Sequence, residues 1–307
     1  MPTLVPVIIT ADEHTLGEVK HDLYGGLFSG SSTQHMSLFQ STLDCAFSMA
    51  PAEHIIIVSP FSYGSIIHEQ IAHFPDSLKK NIILDGSSHK ASSLITAAAL
   101  HALARFNDPV LWILPVHQTN YYKEIIKHAI RYSAQASLED RMILYGMPAF
   151  TPDTRYAYIY NGTADPHYHQ LHHIRMFIPH PSEKSIHSIW NQPGCLASSG
   201  MMLVKADYWL QHFSHDVLEL IYNAYRHKKR SYYGMILNPF LMNQLSKQSL
   251  SKFLGLLAQR KEHKLYSCLL PSDTSKQNGW YQLWQQSQHT RLGIPLQRFL
   301  RQMIHAA

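Results

Sequence analysis

Residues 4–145 alternate short, uninterrupted apolar runs with segments of helical spacing. The apolar runs are Leu4–Thr10, Ile55–Val58 within Glu53–Pro60, Asn81–Leu84, Val110–Leu114 and Met142–Tyr145. Segments 36–49, Phe61–His73, Ser92–Arg105 and 119–135 fall between them. A strand that is apolar at every position has no solvated face. When such strands are separated by helices of 10–15 residues, they form a parallel sheet covered on both sides. Ligands of such sheets sit beyond the carboxyl ends of the strands. The loops after Thr10, Leu84 and Leu114 are therefore where chemistry is expected. The second half is less regular. Strands are expected at Tyr156–Tyr160, Leu171–Ile178 and Met201–Lys205, and helices at 206–227, 239–260, 280–288 and 295–305. Neither a linker nor an internal repeat interrupts the chain. The expected organisation is one α/β domain over 1–290 with a C-terminal helix, 291–307, packed on it.

Composition narrows the function classes. Hydrophobic residues are 45% of 307, enough for a large core. Charged residues are only 15%, against roughly 25% in an average soluble domain, and 22 His fill part of the gap. The net charge of +5 is too small to imply nucleic acid by itself. No apolar run approaches the roughly 18 residues of a membrane span, and no basic segment precedes the first apolar run as in a secretory signal. Cys45, Cys195 and Cys268 are odd in number, far apart and outside any CxxC pattern. That usage suits reduced thiols in the cytoplasm.

Read in order, these segments resemble the sugar-1-phosphate nucleotidyltransferases, specifically the mannose-1-phosphate guanylyltransferase family. Val5-Pro6-Val7-Ile8-Ile9 is similar to that family's first strand, and Asp22-Leu23-Tyr24 with Phe28 to its E-L-Y-P-K-Q-F segment. Ile83-Leu84-Asp85 followed by Ala97–Leu100 resembles I-L-E-P-x-G-R-N-T-A-P. Asp108-Pro109 and Leu114-Pro115 resemble the D-P strand leading to L-P-A-D-H. Tyr145-Gly146, Thr151–Thr154 and Tyr156–Ile159 are similar to F-G-I and P-E-T-G-Y-G-Y-I. Phe177 and Pro181 bracket F-V-E-K-P, Ser199-Gly200-Met201 sits at N-S-G-M-F, and Gly279–Trp284 resembles G-S-W-x-A-L-W. The matches keep order and spacing from residue 4 to 284, about nine-tenths of the chain. The resemblance implies a Rossmann-like, mixed and mostly parallel sheet flanked by helices, of the nucleotide-diphospho-sugar transferase type. The length leaves no room for the isomerase barrel of bifunctional members.

The resemblance also implies a reaction: a sugar 1-phosphate joins the α-phosphate of a nucleoside triphosphate, and pyrophosphate leaves. That chemistry needs backbone N–H groups and cations around phosphate, acids holding Mg²⁺, and polar groups that place base and sugar. The family's glycine-rich phosphate loop corresponds to Ala11–Val19 here, which has lost the paired glycines and gained Asp12 and Glu13. A like charge at about 4 Å costs on the order of 4 kcal/mol at an effective dielectric near 20. Nearby Lys20 and His14 are the offsetting groups. The family's phosphate-loop lysine falls at Gly26, where Gly25-Gly26 offers either a phosphate-approaching turn or a plain turn. The acids of the metal site fall at His117 and Tyr232. Imidazole suits Zn²⁺ or Mn²⁺ better than Mg²⁺; the alternative for His117 is a solvated loop histidine. Arg155 replaces a glycine of G-Y-G-Y-I beside Tyr156, Pro179 and His180 replace Glu and Lys of F-V-E-K-P, and Ser198 replaces Asn of N-S-G. Asp85 alone keeps the acid of its counterpart, which implies contact with a guanine-type base edge.

Retained scaffold with altered chemistry implies a family member whose catalysis is lost or nearly lost, and which keeps a pocket for a nucleotide or nucleotide sugar or acts through a protein partner. On this reading Thr10, Ala11, Gly25, Gly26 and Asp85 line the nucleotide side, and Arg155, Tyr156, His180 and Ser198 the sugar-phosphate side. The alternative is a working transferase in which Lys20 and His117 carry charge and metal or proton work, with Mg²⁺, Zn²⁺ or Mn²⁺. A third reading is a His-rich metal-binding or interaction module. It rests on His167 and His169, with His172 and His173, because alternating histidines on a strand share a face. Arg226–Arg230 is a compact basic run, read as a solvated helix end or an anion contact.

Overall fold

The computed structural model describes residues 2–10, 27–28, 36–87, 91–116, 123–149, 152–154, 156–245, 249–260 and 264–270. All lie in one compact unit, Met1–Pro271. The helices expected at 280–288 and 295–305, and the boundary at 290, lie outside the described residues.

The chain runs β1 (Leu4–Ile9), α1 (Leu38–Phe47), β2 (Ile56–Pro60), α2 (Gly64–Gln70), α3 (Asp76–Lys79), β3 (Ile82–Asp85), α4 (Ala91–Leu103) and β4 (Val110–Pro115). It continues through α5 (Lys123–Ser137), β5 (Met142–Pro148), β6 (Tyr158–Ala164), β7 (Leu171–Ile178), α6 (Glu183–Ile189) and β8 (Cys195–Lys205). The last described elements are α7 (Ala206–Leu210), α8 (His215–Arg226), β9 (Lys229–Ser231), β10 (Gly234–Ile236), α9 (Pro239–Met242), α10 (Leu250–Ala258) and β11 (Leu265–Leu269). The eleven described strands form one mixed sheet in the order β5-β11-β7-β6-β8-β4-β1-β2-β3-β10-β9, and β5 also pairs with β8. The fold is the α/β class that the alternating pattern implies.

Strands β4, β1, β2, β3 and β10 are mutually parallel. The first four are the continuous apolar runs, and nearly every residue in them is buried. Ile9 stands in register with both Val58 and Pro115, and Pro60 with Asp85. Their carboxyl ends therefore lie along one rim.

Helix α4 covers one face. Its run of alanines lets it lie close to the sheet, and eleven of its thirteen residues are buried. It also packs against α7 and α8. The fully buried Trp209 of α7 donates its indole N–H to Thr96 Oγ1 at 3.0 Å, so the largest side chain in this layer leaves no orphan donor.

Strand β8 joins the two halves of the sheet. Its second half pairs antiparallel with β4, and its first half with β6. Strand β5 runs antiparallel to it throughout, with a register shift between Leu144 and Gly146. The pairings β8–β6, β6–β7, β7–β11, β11–β5 and β5–β8 close a ring of five strands.

Several elements differ from the sequence expectation. Strand β8 begins at Cys195 rather than Met201, because Ser198-Ser199-Gly200 bends the strand without ending it. The segments 206–227 and 239–260 each hold two helices rather than one. Helix α6 and strands β9, β10 and β11 were not expected. The three strands are only three to five residues long and carry little periodicity of their own.

Two stability predictions follow from this packing. Thr96→Val keeps the shape but removes the acceptor of the Trp209 N–H, and should cost about 1–3 kcal/mol. The expected signature is a lower urea midpoint with an unchanged slope. His101, buried on α4, sits 2.8 Å from the Tyr225 hydroxyl through Nδ1. Burial, then the charges of Arg105 and Lys228, lower its pKa to about 4. The unfolded chain binds this proton more readily. The stabilisation is therefore complete above the ordinary value of 6.5 and is lost as pH falls toward 4. His101 should contribute as much as about 3 kcal/mol to that loss. Its ring resonance should still report neutral imidazole at pH 5.

Candidate functional site

The rim at the carboxyl ends of the parallel strands gathers the polar residues. At the end of β1, the buried Thr10 donates its hydroxyl to Ser59 Oγ at 2.7 Å, and Ser59 in turn donates to the Pro60 carbonyl at 3.1 Å. The Thr10 backbone N–H reaches Val58 O at 3.2 Å, extending the β1–β2 ladder by one residue. At the end of β3, Asp85 is buried. Its Oδ1 accepts the Ser87 N–H at 2.9 Å and also a short hydrogen bond from the Ser87 hydroxyl. The carboxylate thus folds the chain over itself in an Asx turn that begins the loop into α4.

The other side of the rim is built on the bend in β8. Ser198 donates its backbone N–H to Ala157 O at 2.8 Å, and its hydroxyl accepts the Gly200 N–H at 3.3 Å. Ser199 donates its hydroxyl to Tyr145 O at 2.7 Å and accepts from the Met201 N–H at 3.2 Å. Gly200 has φ of +77° and lies against the end of β4; a methyl group there would stand 2.9 Å from Pro115 Cγ. Tyr156 is half-buried against the cluster of Tyr158, Tyr160, Ile186, Cys195 and Ala197. His180 has φ of +41°, and its Nε2 lies 3.3 Å from the Ser251 hydroxyl of α10. Tyr158 pairs with Ile178, so Tyr156 and His180, two residues further on either strand, emerge at the same end.

The structure therefore brings Thr10 and Asp85 to one stretch of the rim, and Tyr156, His180 and Ser198 to its continuation. Ala11, Lys20, Gly25, Gly26, His117 and Arg155 lie outside the described residues. Ser59, Ser87 and Ser199 were missed by the sequence reading. Ser59 was legible in principle, because it directly follows an apolar strand run as Thr10 does, and Ser87 because it stands two residues after Asp85 in a position suited to an Asx turn. Ser199 was not, because its partner Tyr145 is 54 positions away.

Three sequence expectations are placed elsewhere. His167 and His169 are exposed in the turn between β6 and β7, at the end opposite Tyr156, and not alternating along a strand. The Asp165 carboxylate fixes that turn by accepting the His167 and Tyr168 N–H groups. His172 and His173 are consecutive on β7, and the His173 ring rests on Tyr266 at 4.3 Å. Among the described residues no group of three His, Cys, Asp or Glu is placed to hold a metal ion. Tyr232 is 78% exposed in the turn before β10. Since β10 runs parallel to β3, Tyr232 lies at the amino edge of the sheet, away from the rim that carries Asp85.

Comparisons with known proteins bear on the fold. A solved Thermus thermophilus structure described as a mannose-1-phosphate geranyltransferase superposes with a TM-score of 0.68 at 14% identity, covering 87% of this chain and 74% of its own. At this identity the likeness shows a shared fold. A Klebsiella pneumoniae mannose-1-phosphate guanylyltransferase is 24% identical over 221 residues, 70% of this chain and 46% of the relative. A Vibrio cholerae protein provisionally given the same name is 31% identical over 132 residues, 43% of this chain and 28% of the relative. Over these stretches the chain is similar to proteins named mannose-1-phosphate guanylyltransferase. It spans less than half the length of these curated relatives. No family model matches it.

Gly200→Ala tests the bend that shapes the rim. The left-handed backbone and the contact with Pro115 both oppose a side chain. The variant should lose about 1–3 kcal/mol in chemical denaturation, with the near-ultraviolet signal of Tyr145 and its neighbours altered.

Proposed function

We propose that this chain binds a nucleotide or nucleotide sugar at the strand rim, and that the transferase chemistry of its relatives is lost or nearly lost. One observation carries this reading: Asp85 is held at the end of β3 by both donors of Ser87, whereas the acids expected to hold Mg²⁺ are replaced by His117 and Tyr232. Hard Mg²⁺ takes oxygen ligands and bridges phosphates through them. A tyrosine on the opposite edge of the sheet supplies none at the rim. Binding needs less. Asp85 accepts hydrogen bonds from a base edge bearing N–H donors, Thr10 marks the entrance to the segment aligned with the phosphate loop, and Tyr156, His180 and Ser198 face the sugar-phosphate end. A softer ion, Zn²⁺ or Mn²⁺, suits His117 if the site takes a metal. The three cysteines are buried and in no disulfide, which fits a reducing compartment, and we place the protein in the cytoplasm. No described helix is long and apolar enough to cross a membrane.

Calorimetry and thermal shift on tag-free protein test the reading. The ligands are GTP, ATP, GDP-mannose and mannose 1-phosphate, each with Mg²⁺, Mn²⁺ or Zn²⁺. A ligand at 100 times its dissociation constant adds about 2.7 kcal/mol of stability. The expected result is saturable binding of a nucleotide or nucleotide sugar without pyrophosphate release. Steady pyrophosphate release with mannose 1-phosphate and GTP would establish an active transferase instead. Absence of binding by all four at millimolar concentration would sink the ligand reading and leave a protein partner as the occupant of this surface.

A further inference from the structure

Two exposed phenylalanines stand beside the Asp85 turn, one on each flank. Phe61 directly follows Pro60, the register partner of Asp85, and is 45% exposed. Phe240 is 75% exposed. Three contacts fix it at the rim. The Leu237 N–H donates to Leu84 O at 2.9 Å, extending the β3–β10 pairing. Asn238 caps α9 by accepting the Phe240 N–H at 3.0 Å. Pro239 lies 3.8 Å from the position a side chain would take at Gly86. The start of α9 therefore packs at van der Waals distance from the Asp85 turn. Phe240 is thus carried by a backbone anchored beside the turn that holds the buried, hydrogen-bonded Asp85 carboxylate. An aromatic ring left in water forgoes the stabilisation of burial. A ring in that state beside a fixed acceptor is the arrangement that takes a flat heterocycle: the ring supplies the face and the carboxylate supplies the edge.

We propose that Phe240 is the stacking platform for the base of a purine nucleotide whose donor edge meets Asp85. This inference rests on the nucleotide reading above and adds the residue that positions the base. Its ligand class is a purine bearing N–H donors on its Watson–Crick edge, and guanine, with an adjacent N–H and amino group, matches a carboxylate better than adenine.

The test is calorimetry of the full chain with GTP, ATP and inorganic tripolyphosphate, comparing wild type with Phe240→Ala and Tyr232→Ala. Phe240→Ala removes an exposed ring, so the melting temperature should stay within a degree or two of wild type. Loss of stacking should weaken GTP and ATP about tenfold and leave tripolyphosphate unchanged. Tyr232→Ala, an exposed aromatic at the opposite edge, should change none of the three. If wild type binds GTP and Phe240→Ala binds it equally well, the stacking inference is overturned while the nucleotide reading stands. An equal loss for GTP and tripolyphosphate also overturns it, because the effect then lies in the phosphate contacts. If wild type binds no nucleotide, the function reading fails and this inference fails with it. Phe240→Trp separates stacking from simple bulk: it should retain or tighten GTP binding, and a loss like that of alanine counts against stacking.

Discussion

The bend of β8 at Ser198–Gly200 is the constraint on which the rest of the arrangement depends. Eleven residues of one strand serve two partners on the same side, β6 by the first half and β4 by the second, while β5 follows the whole length. A straight strand has a single neighbour on each edge. Changing partners midway requires a local break in direction, and the left-handed Gly200, seated on Pro115, supplies it. The polar groups that the bend would otherwise expose are answered locally by the Ser198 and Ser199 hydroxyls. The same bend carries the stretch of the rim where Ser198, Tyr156 and His180 emerge, so fold and rim share one structural cause.

The stretch of rim at Thr10 and Asp85 has a different origin. Parallel strands buried on both faces must end together, since each one's last residues are covered by the same helices. Thr10, Ser59 and Asp85 are the first polar groups after apolar runs, and they meet at the rim for that reason. Thr10 bonds to Ser59, and Asp85 accepts from Ser87, so groups that burial has removed from water are satisfied. A polar surface thereby sits on a rigid ladder.

Much of this was legible in the sequence, for identifiable reasons. Continuous apolar runs such as Val110–Leu114 carry a strong signal because both faces are buried. Leu171–Ile178 was placed to the residue, and the strand ends at Thr10 and Asp85 located the rim. The short strands β9, β10 and β11 were silent because three to five residues show no period. The His167–His173 run reads as a cluster along the chain, but a turn at 165–170 points its members apart. Tyr232 stood in line with a metal-binding acid in the sequence, and chain direction placed it at the wrong edge.

By itself, the sequence determined the α/β class, the parallel core, the location of the rim and the family likeness, because burial and strand-end chemistry are written in local composition. Only the tertiary structure decided which rim residues touch: Thr10 with Ser59, Ser199 with Tyr145, His180 with Ser251, and Phe240 beside the Asp85 turn. Those contacts join residues 49 to 71 positions apart, or bring α9 against the end of β3. Strand order and crossover direction set them. These are global properties of how the helices cover the sheet, and no local run of residues encodes them.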